Sequence, residues 1–125
     1  HDGNLNIHLT APGNSAAAEH VFAAIAPHPT AEQLFAGAWS ACYTAAVGLV
    51  SKEMKVVLPA DTSVDIEVDL GMTGNEYLLQ ARINLVVPGI DQEVATAIAH
   101  AADQICPYSK ATRGNIDVAV NAITR

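Results

Sequence analysis

Basic side chains, aromatic rings and cysteine are all scarce in this sequence of 125 residues. Only six residues are lysine or arginine, against 13 aspartates and glutamates, which gives a net charge of -7. Nucleic-acid binding requires a basic patch that displaces counterions from phosphates, and this composition disfavours it. Aromatic residues make up 5% of the chain. We therefore expect closely packed helices with small side chains between them, not an aromatic ligand box.

Long apolar runs are also absent. No stretch reaches the roughly 18 uninterrupted apolar residues that a membrane-spanning helix needs. Residues 34–50 come closest, but Ser40 and Thr44 interrupt them, and we expect a buried helix here. No signal-peptide pattern is present, so the expected location is the cytoplasm. The length predicts a single domain over residues 1–125.

Alternation of apolar and polar residues predicts four strands. The first covers residues 5–9, after an Asp2-Gly3 turn, and the last covers residues 115–123. Between them, residues 64–70 and 79–87 are predicted to form a hairpin that turns at residues 73–75.

Two long helices complete the prediction. The first is expected from Thr30 to about Lys55, because Thr30 and Gln33 fit a capping box. The second begins after Asp91 and ends at Cys106. Its apolar stripe consists of Val94, Ile98, Ala101, Ala102 and Ile105. The resulting order, β–α–β–β–α–β, predicts an α+β fold.

The two cysteines, Cys42 and Cys106, lie in the first helix and at the end of the second. On residue type alone, both are expected to be buried structural cysteines, because free cysteine is among the most buried residue types. No CxxC or HxxxH spacing accompanies either thiol, so a zinc site is disfavoured. The five histidines are scattered along the chain. We expect no metal ion and no cofactor.

Four sequence motifs change the interpretation of these cysteines. Residues 32–36 read EQLFA, residues 40–42 read SAC, residues 106–109 read CPYS, and residues 111–118 read ATRGNIDV. With these motifs the chain resembles the organic hydroperoxide resistance proteins, the Ohr branch of the OsmC/Ohr superfamily. The resemblance extends from Asp2 to the end of the chain.

The resemblance implies an OsmC/Ohr-like fold, in which an antiparallel sheet surrounds two central helices within an intertwined homodimer. It also implies a peroxidase that depends on thiols alone. Cys42 matches the peroxidatic cysteine, Cys106 the resolving cysteine, and Glu32 the carboxylate that positions a catalytic arginine. The substrate class is organic hydroperoxides, and the implied reductant is a lipoylated protein or another dithiol.

One departure from the family pattern concerns the catalytic arginine. In the family this arginine lies on an N-terminal strand, upstream of the turn that corresponds to Asp2-Gly3. We therefore expect that the N-terminal strand or strands of the family are missing here, and that an arginine lies upstream of His1 or Cys42 is weakly activated. Arg82 and Arg113 are the alternatives within the chain. For Arg113 we favour a structural salt bridge.

The spacing between Glu32 and Cys42 predicts a composite site. Ten residues along a straight helix correspond to about 15 Å, which is too far for one arginine to bridge within one subunit. We therefore expect Glu32 of a partner subunit to face Cys42. A bent helix start is the alternative.

The substrate is expected to bind in an apolar cleft beside the thiol, lined by Leu34, Phe35, Trp39 and Tyr43. A helical stripe of bulky residues is more often part of a core, and that alternative stays open. For the whole protein, the rival interpretation is a non-catalytic or redox-sensing fold-mate that lacks the activating arginine. A general disulfide oxidoreductase is disfavoured, because the sequence has no CxxC motif.

Overall fold

A computed structural model describes residues 30–125. The predicted first strand and the N-terminal loop lie outside these residues. The described elements, in chain order, are α1 (Ala31–Glu53), β1 (Ser63–Thr73), β2 (Glu76–Val86), α2 (Gln92–Ile105), α3 (Pro107–Thr112) and β3 (Asp117–Ile123). The predicted α+β class is confirmed.

Helix α1 begins with the predicted capping box. The Thr30 hydroxyl accepts a hydrogen bond from the Gln33 backbone N–H at 3.2 Å, and the Thr30 N–H donates to the Gln33 side chain at 2.8 Å. Each bond satisfies a donor that a helix start would otherwise leave without a partner. The helix ends at Glu53, slightly before the predicted end, because Lys55 adopts a positive φ of 59° that turns the chain out of the helix.

By length and composition alone, α1 could cross a membrane. In this structure it is instead a core helix, as the sequence predicted. One face packs against β1 and α2, while the opposite face carries small residues and stays exposed. The buried face consists of Trp39, Tyr43, Ala46, Val47, Val50 and Ser51.

The three described strands form one sheet in the order β1-β2-β3. Strands β1 and β2 form the predicted antiparallel hairpin, in which Ile66 pairs with Ile83. Strand β3 runs parallel to β2 and pairs Val120 with Ile83. The sheet is therefore mixed, and the expectation of a wholly antiparallel sheet is wrong for these strands. The reason is topological: α2 and α3 carry the chain back across the sheet, so β3 starts at the same end as β2.

The two faces of the sheet differ in polarity. Residues 81, 83 and 85 of β2 are buried under the helices, whereas the alternate positions, Arg82 and Asn84, are half-exposed on the outer face. This alternation is typical of a sheet with one solvated face. The helices and the buried face together enclose a single core within residues 30–125.

Helix α2 is capped as predicted: the Asp91 carboxylate accepts a hydrogen bond from the Glu93 N–H at 3.1 Å. Its predicted apolar stripe is largely confirmed, since Ile98 and Ala102 are fully buried. Ile105 is an exception, because its side chain is 42% exposed. Beyond Cys106, where no helix was predicted, residues 107–112 form α3. Proline at the first position of a helix loses no hydrogen bond, so Pro107 begins α3 as well as ending α2.

Candidate active site

The two thiols lie next to each other. Cys42 is half-buried on α1, Cys106 is fully buried between α2 and α3, and their Sγ atoms are 3.2 Å apart. A disulfide bond requires about 2.05 Å between sulfurs. The pair can therefore be closed by a movement of about 1 Å.

Cys106 is a one-residue joint between two helices. Its N–H donates to the Ala102 carbonyl at 2.9 Å, which ends α2, and its own carbonyl accepts from the Lys110 N–H at 3.0 Å, which starts α3. Its backbone is extended, with φ -65° and ψ 120°. The sulfur is consequently positioned by both helices at once.

Helix α3 and its N-cap, Cys106, pack against α1 through three side-chain contacts, which we call the α1–α3 interface. Besides the two thiols, the Trp39 indole N–H donates to the Ser109 hydroxyl at 3.0 Å. The rings of Phe35 and Tyr108 stack with centroids 6.4 Å apart. The α1 residues of this interface are Phe35, Trp39 and Cys42. They are spaced four and then three apart, so they lie on one face of the helix.

The environment of Cys42 favours its neutral thiol. Burial raises the pKa of the Cys42 thiol above its ordinary value, and the hydrogen bond and charge interaction with Cys106 raise it further. A backbone hydrogen bond from Tyr108 acts in the opposite direction and lowers this pKa. Among residues 30–125, no lysine or arginine contributes to the pKa of Cys42. The described residues thus supply a thiol pair but no cation to hold a thiolate.

The predicted cleft lining is only partly supported. Trp39 and Tyr43 are fully buried and belong to the core, so they line no accessible cleft. The Tyr43 hydroxyl donates to the Ala99 carbonyl at 2.7 Å, and burial raises the pKa of this phenol. Leu34 and Phe35 are half-buried near the start of α1.

Glu32 lies in the first turn of α1, half-buried, and among residues 30–125 it forms no ion pair. Since α1 is unbroken from Ala31 to Glu53, the axial separation of Glu32 from Cys42 is about 15 Å. The structure therefore does not bring Glu32 together with the thiols within one chain.

Neither candidate arginine belongs to the thiol site. Arg113 donates to the Asp103 carbonyl at 2.7 Å and pairs with its carboxylate at 3.3 Å, which confirms the predicted structural salt bridge. Arg82 is on the outer face of the sheet, where it pairs with Asp69 at 2.7 Å and Glu67 at 3.3 Å. Both guanidinium groups are engaged away from Cys42.

In the described part of the chain, no group of three histidine, cysteine, aspartate or glutamate side chains could hold a metal ion.

The hydrogen bond between Trp39 and Ser109 was not predicted from the sequence. Ser109 lies in the CPYS motif and Trp39 lies between the EQLFA and SAC motifs, but nothing in their types or spacing shows that they face each other.

Comparison with known proteins gives consistent matches. Residues 22–121 match the family described as OsmC-like protein. An organic hydroperoxide resistance protein of Xanthomonas axonopodis pv. citri is 39% identical over 87 residues, which cover 70% of this chain and 61% of that protein. The chain thus spans about three fifths of the length of such curated relatives.

Two solved structures are similar in fold as well as in sequence. An organic hydroperoxide resistance protein from Elizabethkingia anophelis, crystallised with thiocyanate bound, is 34% identical with a TM-score of 0.72, covering 78% of this chain and 70% of that one. OhrB of Bacillus subtilis is 29% identical with a TM-score of 0.73, covering 89% and 78%.

Proposed function

The chain belongs to the OsmC/Ohr superfamily, and on this basis we propose that it is a cysteine-based peroxidase that reduces organic hydroperoxides to alcohols. The observation that carries the proposal is the 3.2 Å distance between the Cys42 and Cys106 sulfurs. A half-buried, partly accessible thiol beside a buried one suits a two-step thiol oxidation, because the first thiol can meet the peroxide and the second can close the disulfide. The relatives named as organic hydroperoxide resistance proteins give the substrate class.

In the first step, the Cys42 thiolate attacks one oxygen of the hydroperoxide and the O–O bond breaks. The other oxygen takes a proton and leaves as an alcohol, while Cys42 becomes a sulfenic acid. In the second step, the Cys106 thiol attacks the Cys42 sulfur, a disulfide forms, and the sulfenic oxygen leaves as water. A dithiol, such as a lipoylated protein, then reduces the disulfide and is itself oxidised to a disulfide.

Burial raises the pKa of Cys42, and no lysine or arginine of residues 30–125 offsets this, so an activating cation would come from elsewhere. We propose that Glu32 holds an arginine that provides this cation. The arginine would come from an N-terminal segment, and the Glu32 that holds it would come from a partner subunit, since about 15 Å of helix separates Glu32 from Cys42 within one chain. The raised pKa also favours a second candidate function: a slow redox sensor, in which the same disulfide forms without efficient turnover.

We further propose a homodimer. The exposed face of α1 carries Gly37, Ala38, Ala41, Ala45 and Gly48, and such small side chains allow another backbone to approach closely. Light scattering at micromolar concentration should give about twice the 13.0 kDa chain mass. A monomer would remove the partner-subunit explanation for Glu32.

For the location of the protein we propose the cytoplasm, because a cycle that needs reduced thiols fits a reducing compartment.

The test of the function is intact mass after one equivalent of cumene hydroperoxide. The wild-type chain should lose two hydrogens as the disulfide forms, and cumyl alcohol should appear in equal amount. Cys42→Ser should consume no hydroperoxide in an assay coupled to dihydrolipoamide. Turnover at the wild-type rate in Cys42→Ser would contradict the assignment, and a single slow oxidation without turnover would support the sensor.

A further inference from the structure

The contact between Trp39 and Ser109 is the only buried hydrogen bond between side chains in the described part of the chain. Trp39 is 0% exposed and Ser109 is 2% exposed. Because both side chains are buried, water cannot take the place of either one if the other is removed. The indole N–H would then be an unsatisfied buried donor, which carries the full desolvation penalty. This bond therefore fixes the distance and the orientation between α1 and α3.

The bond lies directly beside the thiol pair. On α1, Trp39 is three residues before Cys42, and on the other side Ser109 is three residues after Cys106. Trp39 and Cys42 are therefore neighbours on the surface of α1, and Cys106 is the N-cap of the helix that carries Ser109. The hydrogen bond and the sulfur contact are thus adjacent links between the same two segments, at 3.0 and 3.2 Å.

We propose that Ser109 and Trp39 are positioning residues for disulfide formation between Cys42 and Cys106. The hydrogen bond keeps α3 from moving away from α1, so that the buried Cys106 thiol stays within reach of the Cys42 sulfur. In the peroxide cycle this role rests on the proposed function. The geometry itself applies to any oxidant of the dithiol.

Positioning changes the equilibrium for closing the disulfide because it changes how much freedom the reduced thiols have. With the hydrogen bond, the reduced chain already holds the sulfurs about 1 Å from bonding distance. Without it, α3 can occupy positions in which the sulfurs are farther apart, and disulfide formation must then restrict this motion. The effective concentration of one thiol for the other falls accordingly.

The experiment equilibrates the reduced chain with glutathione and its disulfide and measures the oxidised fraction by intact mass. One glutathione disulfide oxidises the dithiol and yields two glutathione thiols, so no peroxide is involved. Ser109→Ala should lower this equilibrium constant by roughly tenfold. Trp39→Phe removes the indole N–H and should lower it similarly. The double variant should be no worse than either single one, because both remove the same bond.

A matched control is Ser51→Ala. Ser51 is also a buried serine of this core, 3% exposed, but its hydroxyl donates to the Val47 carbonyl within α1 at 2.7 Å. This variant should keep the wild-type constant. Three results would each overturn the proposal. The equilibrium constant of Ser109→Ala could lie within twofold of wild type, Ser51→Ala could lose as much as Ser109→Ala, or the losses could add in the double variant.

A second measurement connects the bond to the peroxide cycle. With excess cumene hydroperoxide, Ser109→Ala should form more Cys42 sulfinic acid relative to disulfide, by roughly tenfold. A wild-type ratio would overturn the positioning role in the cycle. If the peroxide oxidises no variant, the proposed function fails, but the glutathione result still decides the positioning role.

Discussion

Polar side chains cluster on both sides of the sheet, and the two clusters are built in opposite ways. In the α1–α3 interface, the Trp39 indole has one partner, Ser109, and both are buried. On the outer face, Arg82 bonds to carboxylate oxygens of Asp69 and Glu67, and all three side chains remain at least 38% exposed. Water can replace a lost partner only on the outer face, so we expect mutations to have large effects in the interface and small ones outside it.

The largest effect is expected when the resolving thiol is removed and the peroxidatic thiol is kept. Cys106→Ser should react with one equivalent of cumene hydroperoxide, because Cys42 remains, but it should not recycle through an intramolecular disulfide. With excess peroxide, Cys42 should accumulate as sulfenic and sulfinic acid, detectable by intact mass and dimedone labelling. Normal cycling with a dithiol reductant would show that another resolving route exists.

The next effect concerns pH. Because burial raises the pKa of the Cys42 thiol, the thiolate fraction should be small at neutral pH and should grow only above the ordinary thiol value of about 8.5. Alkylation of Cys42 by iodoacetamide, followed by peptide mass, should accelerate with pH beyond that value. Residues 1–29 contain no lysine or arginine, so a midpoint below about 7 would mean that a partner subunit or a histidine already supplies a cation.

A chain extended at its N-terminus provides the comparison for this measurement. If an upstream arginine activates Cys42, the extended chain should show a lower midpoint than the 125-residue chain. Arg82→Ala and Arg113→Ala should leave the midpoint unchanged, since both guanidinium groups bond elsewhere. A shift in either variant would contradict our account of activation.

A moderate effect is expected from Tyr43→Phe. The substitution keeps the buried ring and removes only the hydroxyl that donates to the Ala99 carbonyl at 2.7 Å. Loss of one buried hydrogen bond should lower the free energy of unfolding by about 1 kcal/mol, measured by urea denaturation. An unchanged unfolding midpoint would show that this contact between α1 and α2 contributes nothing to stability.

The smallest effect is expected on the outer face. Hydrogen bonds from Arg82, and then from Gln80, lower the pKa of the Asp69 carboxyl to about 2. In Arg82→Ala this pKa should rise toward its ordinary value, which NMR titration would show. Any stabilisation by the native pair is fully present above the ordinary carboxyl pKa and is lost as the pH falls toward 2. At neutral pH the unfolding midpoint should stay close to wild type, and a large drop would abolish the contrast between the two clusters.

Local patterns predicted most of the fold. The capping box at Thr30, the cap at Asp91 and the alternation in β1 and β2 each depend on residues close in sequence, and each was found as predicted. The parallel direction of β3 was not predicted, because it depends on how α2 and α3 return the chain across the sheet. Likewise, Pro107 marks the end of one helix and equally permits the start of another.

The candidate site was less predictable than the fold. The resemblance identified Cys42 and Cys106 as a pair, but only the structure shows their sulfurs 3.2 Å apart, about 1 Å from bonding distance. The partnership of Trp39 with Ser109 spans 70 residues of sequence, and no local rule connects them. Burial of Trp39 and Tyr43 overturned their assignment to a cleft, because helical periodicity cannot distinguish a core face from a substrate-facing one.

The thiol contact joins residues that are 64 positions apart, and this separation has a consequence for heat resistance. Closing the disulfide would turn the chain between Cys42 and Cys106 into a covalent ring that contains β1, β2 and α2. A ring of this size removes chain entropy from the unfolded state, worth about 4 kcal/mol in the loop-closure treatment. The oxidised protein should therefore melt at a higher temperature than the reduced one, so that a melting curve would report how much of the protein is oxidised.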